Sequence, residues 1–118
     1  MWVCFGKLDA FLGNLWIPQI PIFIQIVCKL DEFIKVFLEL VPEVLAEDGC
    51  IEYFPATDID SGIGAQAPLR PDCMTVIEKW ASPAALTAHL AAPHMGVFRD
   101  RTADLVEDLT LHVVEPRN

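Results

Sequence analysis

Basic side chains are scarce in this chain of 118 residues, and their scarcity excludes some partners. Eight lysines and arginines stand against 17 aspartates and glutamates, which gives a formal net charge of -9 at pH 7. Phosphate backbones and anionic lipid headgroups repel such a chain, so neither nucleic acid nor a membrane surface is an expected partner. The length suits one compact domain.

Several motifs that carry chemistry are also missing. The four cysteines form no CxxC pair, which excludes a zinc knuckle and a dithiol redox motif and favours free thiols in a reducing cytoplasm. The sequence contains no GxSxG, P-loop or GxGxxG, so the common hydrolase, nucleotide and flavin sites are not expected. His89 and His94 do not have the HExxH spacing, and we predict neither a metal site nor a cofactor.

One uncharged segment, residues 10–28, approaches the length of a membrane span. Pro18 and Pro21 interrupt it together with polar amides, so we predict no membrane helix and a cytoplasmic protein. Residues 1–16 are predicted to be an N-terminal extension, and residues 17–118 to form the domain.

The remaining pattern predicts alternating strands and helices. A β-branched run at residues 20–27 predicts a strand, and apolar residues at helical spacing predict a helix capped by Asp31, stopped near Gly49 and kinked or broken by Pro42. Two further strands are expected at residues 50–57 and 73–80.

The second half continues this alternation. The pair Ser82–Pro83 is typical of a helix start, a further helical segment is predicted over residues 94–109, and a last strand over 109–116. This order predicts an α+β, ferredoxin-like split β-α-β sandwich with a four-stranded antiparallel sheet and helices on one face. A homodimer, as in dimeric α/β barrels, would cover the other face.

Four segments, "KLDEF", "AEDGCIEY", "VIEKW" and "ALTAHLAAPHMGVF", together resemble the antibiotic biosynthesis monooxygenase family, especially its quinol monooxygenase members. The resemblance implies a cofactor-independent monooxygenase that uses dioxygen on a quinol or phenolic aromatic molecule. Pro21 stands near the position where haem-degrading members have an asparagine, and Val76 where polyketide-oxidising members have one, so both of those branches are disfavoured.

Two histidines are the candidate catalytic residues. His94, directly after Pro93, is expected to act as acid or base, with His89 as the alternative; either can instead have a structural role. The candidate substrate-binding residues are Trp80, Tyr53, Phe98, Met95 and Arg70. Each of the aromatic residues also fits simple core packing.

The long loop between the second and third strands, residues 58–72, is a candidate lid. Two other functions stay open: a non-catalytic small-molecule-binding or stress-response dimer, and an isomerase or decarboxylase that uses the same histidine.

Overall fold

The structure, a computed structural model, describes the backbone of residues 19–26 and both backbone and side chains of residues 29–117. The elements, in chain order, are β1 (Gln19–Ile26), α1 (Leu30–Leu45), β2 (Cys50–Ala56), β3 (Cys73–Trp80), α2 (Pro83–Leu90), α3 (Pro93–Thr102) and β4 (Val106–Leu111). The predicted N-terminal extension, residues 1–16, lies outside the described residues. Within the described part of the chain, no helix is long and apolar enough to cross a membrane.

The described strands form one antiparallel sheet in the order β2-β3-β1-β4. The long strand β3 lies inside the sheet, where Ile77 pairs with Phe54 of β2 and with Pro21 of β1. With α1 connecting β1 to β2, and α2 and α3 connecting β3 to β4, this is the ferredoxin-like arrangement that the element order predicts.

The core lies between the three helices and one face of the sheet. In α1, Phe33 and Phe37 recur at helical spacing and are buried, because this face packs on the sheet. On β3, alternate residues face the helices, and Met74 and Trp80 are fully buried. The helices therefore cover the face of β3 that carries its largest apolar side chains.

The start of α2 follows from local sequence chemistry. Ser82 is the N-cap, and its hydroxyl accepts a hydrogen bond from the Ala85 backbone N–H at 3.1 Å. Pro83 follows at the first helical position, where the missing N–H costs no helical hydrogen bond. The predicted start of this helix is confirmed.

The predicted boundary between the last helix and the last strand is wrong. The helix α3 ends at Thr102 instead of continuing to residue 109, and β4 begins at Val106. Thr102 donates its hydroxyl to the Phe98 carbonyl, and the Leu105 N–H bonds back to the Thr102 carbonyl in a turn. The chain then pairs with β1, and these long-range ladder hydrogen bonds outweigh the helical spacing on which the prediction was based.

Two details of α1 also differ from expectation. The N-cap is Lys29, with no side-chain cap, and Asp31 lies in the first turn, where its negative charge interacts favourably with the helix dipole. Pro42 lies inside the helix, so the predicted break does not occur, and the predicted kink stays a prediction. Proline removes the helical donor to the carbonyl of Leu38, and this residue is exposed, so water can replace that donor.

Candidate functional site

Two histidines and a glutamate meet where three segments converge. Glu47 lies in the turn after α1, His89 near the end of α2, and His94 in the first turn of α3. Glu47 Oε2 is 2.7 Å from His89 Nδ1 and 3.1 Å from His94 Nε2. The exposed fractions of the side chains are 1% for His89, 15% for Glu47 and 25% for His94. We call these three residues the His–Glu–His cluster.

A tight contact between the α1–β2 turn and α2 brings Glu47 to His89. Gly49 has a φ of 85°, its carbonyl accepts a hydrogen bond from the Ala81 N–H at 2.8 Å, and a Cβ at this position would lie 2.6 Å from the Ala85 Cβ. Only glycine permits both this backbone conformation and this approach. The turn therefore lies directly against α2, whose penultimate residue is His89.

The shared carboxylate fixes the tautomer of His89. Because an ionised Glu47 can only accept hydrogen bonds, the Nδ1 of His89 donates to it, and Nε2 then carries a lone pair in the neutral ring. This Nε2 is buried and has no hydrogen-bond partner among the described residues. Burial lowers the pKa of His89, although the hydrogen bond that Nδ1 donates to Glu47 opposes that shift, so the ring favours its neutral form.

Aromatic rings lie against the buried imidazole. The centroid of the Trp80 ring is 4.7 Å from that of His89, with the planes tilted by 36°, and the Tyr53 ring lies edge-on at 5.5 Å. Burial, together with the charges of Glu78 and Glu47, raises the pKa of the Tyr53 phenol, which therefore remains neutral. The imidazole of His89, with its unpaired Nε2, is thus packed against aromatic rings.

A second carboxyl group lies in the same interior. Glu78 is 2% exposed, and the Trp80 Nε1–H donates to its Oε2 at 2.9 Å. The pKa of Glu78 is raised to about 7 in total: burial is the main cause, the hydrogen bond from Trp80 opposes it, and the negative charge of Glu47 adds to the increase. Near neutral pH this side chain therefore changes its charge inside the core.

Neither glutamate was predicted from the sequence. A signal for Glu78 was present, because it alternates with Met74, Val76 and Trp80 on the core-facing side of β3, where a carboxylate is unusual. Nothing in the local sequence links Glu47 to a histidine 42 residues away. The spacing of the two histidines in the sequence matches no metal-binding motif. The fold nevertheless brings three metal-ligating atoms of the cluster within 4.8 Å of one another.

The other predicted substrate-binding residues lie in two places. Met95 and Phe98 are buried in the helix-facing core, and the Phe98 ring is 5.9 Å from Phe37, which stacks on Tyr53 at 5.1 Å. Phe98 is thus separated from His89 by two aromatic rings. It supports the site as part of the core behind Tyr53.

Arg70 lies in the loop between β2 and β3 and binds Asp58. Its Nε and Nη2 donate to the two Asp58 carboxylate oxygens at 2.9 and 2.7 Å, and these bonds lower the pKa of Asp58. Its Nη2 also lies 3.4 Å from Thr75 Oγ1. Side chains alternate between the two faces of a strand, so Thr75 lies on the face of β3 opposite Glu78 and Trp80. Arg70, which contacts Thr75, is therefore on the other side of the sheet from the His–Glu–His cluster.

Comparisons with known proteins match this chain to one family. The family model described as "Antibiotic biosynthesis monooxygenase" matches residues 29–101. The chain is 37% identical over 87 residues to "Probable quinol monooxygenase YgiN" of Escherichia coli K12, an alignment that covers 74% of this chain and 79% of that protein. Residues 29–101, which match the family model, include Glu47, Glu78, His89 and His94.

Solved structures share the fold at lower identity. A conserved protein from Methanosarcina mazei Go1 has a TM-score of 0.74 at 17% identity, covering 91% of this chain and 99% of that one. The protein PA3566 from Pseudomonas aeruginosa has a TM-score of 0.71 at 18% identity, covering 90% of this chain and 100% of that one. At these identities the likeness supports the ferredoxin-like fold alone.

Proposed function

Because the chain belongs to the antibiotic biosynthesis monooxygenase family, we propose that it is a cofactor-independent monooxygenase that acts with dioxygen on a quinol or another phenolic aromatic molecule. One observation carries this proposal: His89 Nε2 is buried beside Trp80 and Tyr53 without a hydrogen-bond donor, while Glu47 holds Nδ1. A phenolic hydroxyl supplies the donor that this nitrogen lacks.

The chemistry begins with transfer of the phenolic proton to His89 Nε2. The phenolate is a better one-electron donor than the phenol and reduces dioxygen to superoxide, and the two radicals then combine through a new carbon–oxygen bond. Cleavage of the oxygen–oxygen bond leaves one oxygen on the ring and releases the other as water. A quinol and dioxygen thereby give a hydroxyquinone and water, and the two hydrogens lost from the quinol leave in that water.

The geometry favours His89 over His94 as the base. The imidazolium formed at His89 keeps its Nδ1–H bond to Glu47, and a carboxylate there stabilises the new positive charge. The Nε2 of His94 already lies against the same oxygen, on the more exposed side of the cluster. In this proposal His94 positions Glu47, while His89 touches the substrate.

The functional unit is proposed to be a homodimer. Tyr53 of β2 faces the helices and is buried, whereas its neighbour Phe54 points to the opposite face of the sheet and is 45% exposed. A second copy of the chain placed against this face would bury that ring. Stable interfaces of this kind bury roughly 800 Å² per partner.

Oxygen uptake by EDTA-treated protein, measured with a panel of hydroquinones and naphthoquinols, tests the proposal. His89→Asn keeps a side-chain donor near the position of Nδ1 and removes Nε2, so we expect turnover to fall on the order of a hundredfold or more. His112→Asn, which changes the exposed histidine after β4, is the matched control and should keep wild-type turnover. Circular dichroism checks that both variants fold.

Three results would overturn this proposal. Full turnover by His89→Asn removes His89 as the base. Turnover without oxygen indicates an isomerase or decarboxylase instead. Thermal stabilisation by a quinol with no oxygen uptake by the wild-type protein indicates a binding module.

A further inference from the structure

We propose that the His–Glu–His cluster is also a binding site for a divalent first-row transition-metal ion such as Zn²⁺. The ligands would be His89 Nδ1, Glu47 Oε2 and His94 Nε2. Metal binding at these atoms does not depend on the proposed oxygenase activity. Its consequence for catalysis rests on that proposed function.

The distances are close to those that an ion requires. When metal–ligand bonds are about 2.0–2.1 Å long, neighbouring ligand atoms lie on the order of 3 Å apart. Two pairs in the cluster already lie at 2.7 and 3.1 Å, and all three atoms lie within 4.8 Å. An ion would therefore replace the two hydrogen bonds to Glu47 after modest shifts of the ligating side chains.

The donor set selects the kind of ion. Two imidazole nitrogens and one carboxylate oxygen suit zinc, iron(II), cobalt and nickel, whereas calcium and magnesium prefer sites made of oxygen atoms. His94 and Glu47 are partly exposed, so an ion can enter from their side and keep water in its remaining coordination positions. The net charge of -9 also favours the approach of a cation.

Metal binding and base catalysis exclude each other at His89. An ion at Nδ1 uses that lone pair, so the neutral ring must carry its proton on Nε2. Nε2 is the atom that the proposed oxygenase reaction uses as proton acceptor. The metal-bound protein would therefore be inactive, which makes the ion an inhibitor of the proposed activity.

Binding is measured first, with untagged full-length protein freed of metal by EDTA. We expect calorimetric titration with zinc sulfate to show one ion per chain for the wild-type protein and for the His112→Asn control. Glu47→Gln and His94→Asn each remove one ligand and should weaken binding at least about tenfold. Titration with Co²⁺ should give visible absorption bands that both of these variants lose, provided that circular dichroism shows them folded.

The outcomes separate the two proposals. Equal zinc affinity in all four proteins, or no binding by the wild type, overturns the metal site whatever the oxygen uptake shows. Zinc binding at the cluster without loss of quinol turnover supports the metal site and removes His89 as the base. Zinc binding that abolishes the turnover of the wild-type and His112→Asn proteins supports both proposals.

Discussion

Glu47 Oε2 lies 2.7 Å from His89 Nδ1, although the two residues are 42 positions apart in the sequence. One belongs to a turn and the other to a helix that are held together by backbone contacts around Gly49. The pair fixes which imidazole nitrogen faces the interior. This relationship connects the fold to the proposed chemistry, because it leaves the buried Nε2 as a proton acceptor.

Replacing the carboxylate tests this relationship. Glu47→Gln keeps the size of the side chain but removes the negative charge that stabilises an imidazolium at His89. We expect quinol-dependent oxygen uptake by the metal-free protein to fall by roughly 10- to 1000-fold. The melting temperature should change little. Glu43→Gln, on an exposed turn of α1, is the control. Unchanged uptake in Glu47→Gln would show that the carboxylate has no part in turnover.

Glu78 gives a prediction on pH and stability. Its pKa in the fold is raised from 4.5 to about 7, mainly by burial, so the folded state binds more protons than the unfolded state between these values. The free energy of unfolding therefore decreases as pH rises through this window, by on the order of 1–3 kcal/mol from this group. Glu78→Gln should remove that decrease.

The measurement is urea unfolding at several pH values from about 5 to 8. The exposed Glu52 on the neighbouring strand supplies the control, and Glu52→Gln should keep the wild-type slope. Because the lowered pKa of His89 makes stability rise with pH in the same range, the test is the difference between the wild-type protein and Glu78→Gln, and an equal pH dependence in the two would contradict the raised pKa of Glu78.

The proposed dimer predicts a surface effect. Phe54→Asp places a charge on the sheet face opposite the helices, and we expect sedimentation to change from dimer to monomer at micromolar concentration. Ile63→Asp adds the same charge to an exposed position in the β2–β3 loop and should leave the dimer intact. A wild-type protein that sediments only as a monomer contradicts the proposed assembly.

The parts of the fold that follow from local chemistry were predictable. The strand at residues 73–80 agrees with β3, and the Ser82 cap followed by Pro83 marked the start of α2. The boundary between α3 and β4 was not, because pairing with β1, a contact distant in sequence, decides where the helix ends. The same limit applies to the site: residue type and resemblance pointed to the histidines, but only the folded chain brings Glu47 to them.

Gly49 tests whether the turn must lie close to α2. Gly49→Ala introduces strain at a φ of 85° and places a Cβ 2.6 Å from the Ala85 Cβ, so either the turn or α2 must shift. Gly62 also has a positive φ, of 71°, but a Cβ there meets nothing within 4 Å, so Gly62→Ala isolates the backbone strain from the clash. We expect Gly62→Ala to cost about 1 kcal/mol of unfolding free energy and Gly49→Ala distinctly more.

The displacement should also separate Glu47 from His89, so quinol turnover and zinc affinity should both fall in Gly49→Ala and stay unchanged in Gly62→Ala. Adding Ala85→Gly to Gly49→Ala removes the opposing methyl group, and this double variant should recover much of the zinc affinity even though a helical glycine costs about 1 kcal/mol of stability. Equal stability and equal zinc affinity in the two single glycine variants would mean that the approach of the turn to α2 does not hold the cluster together.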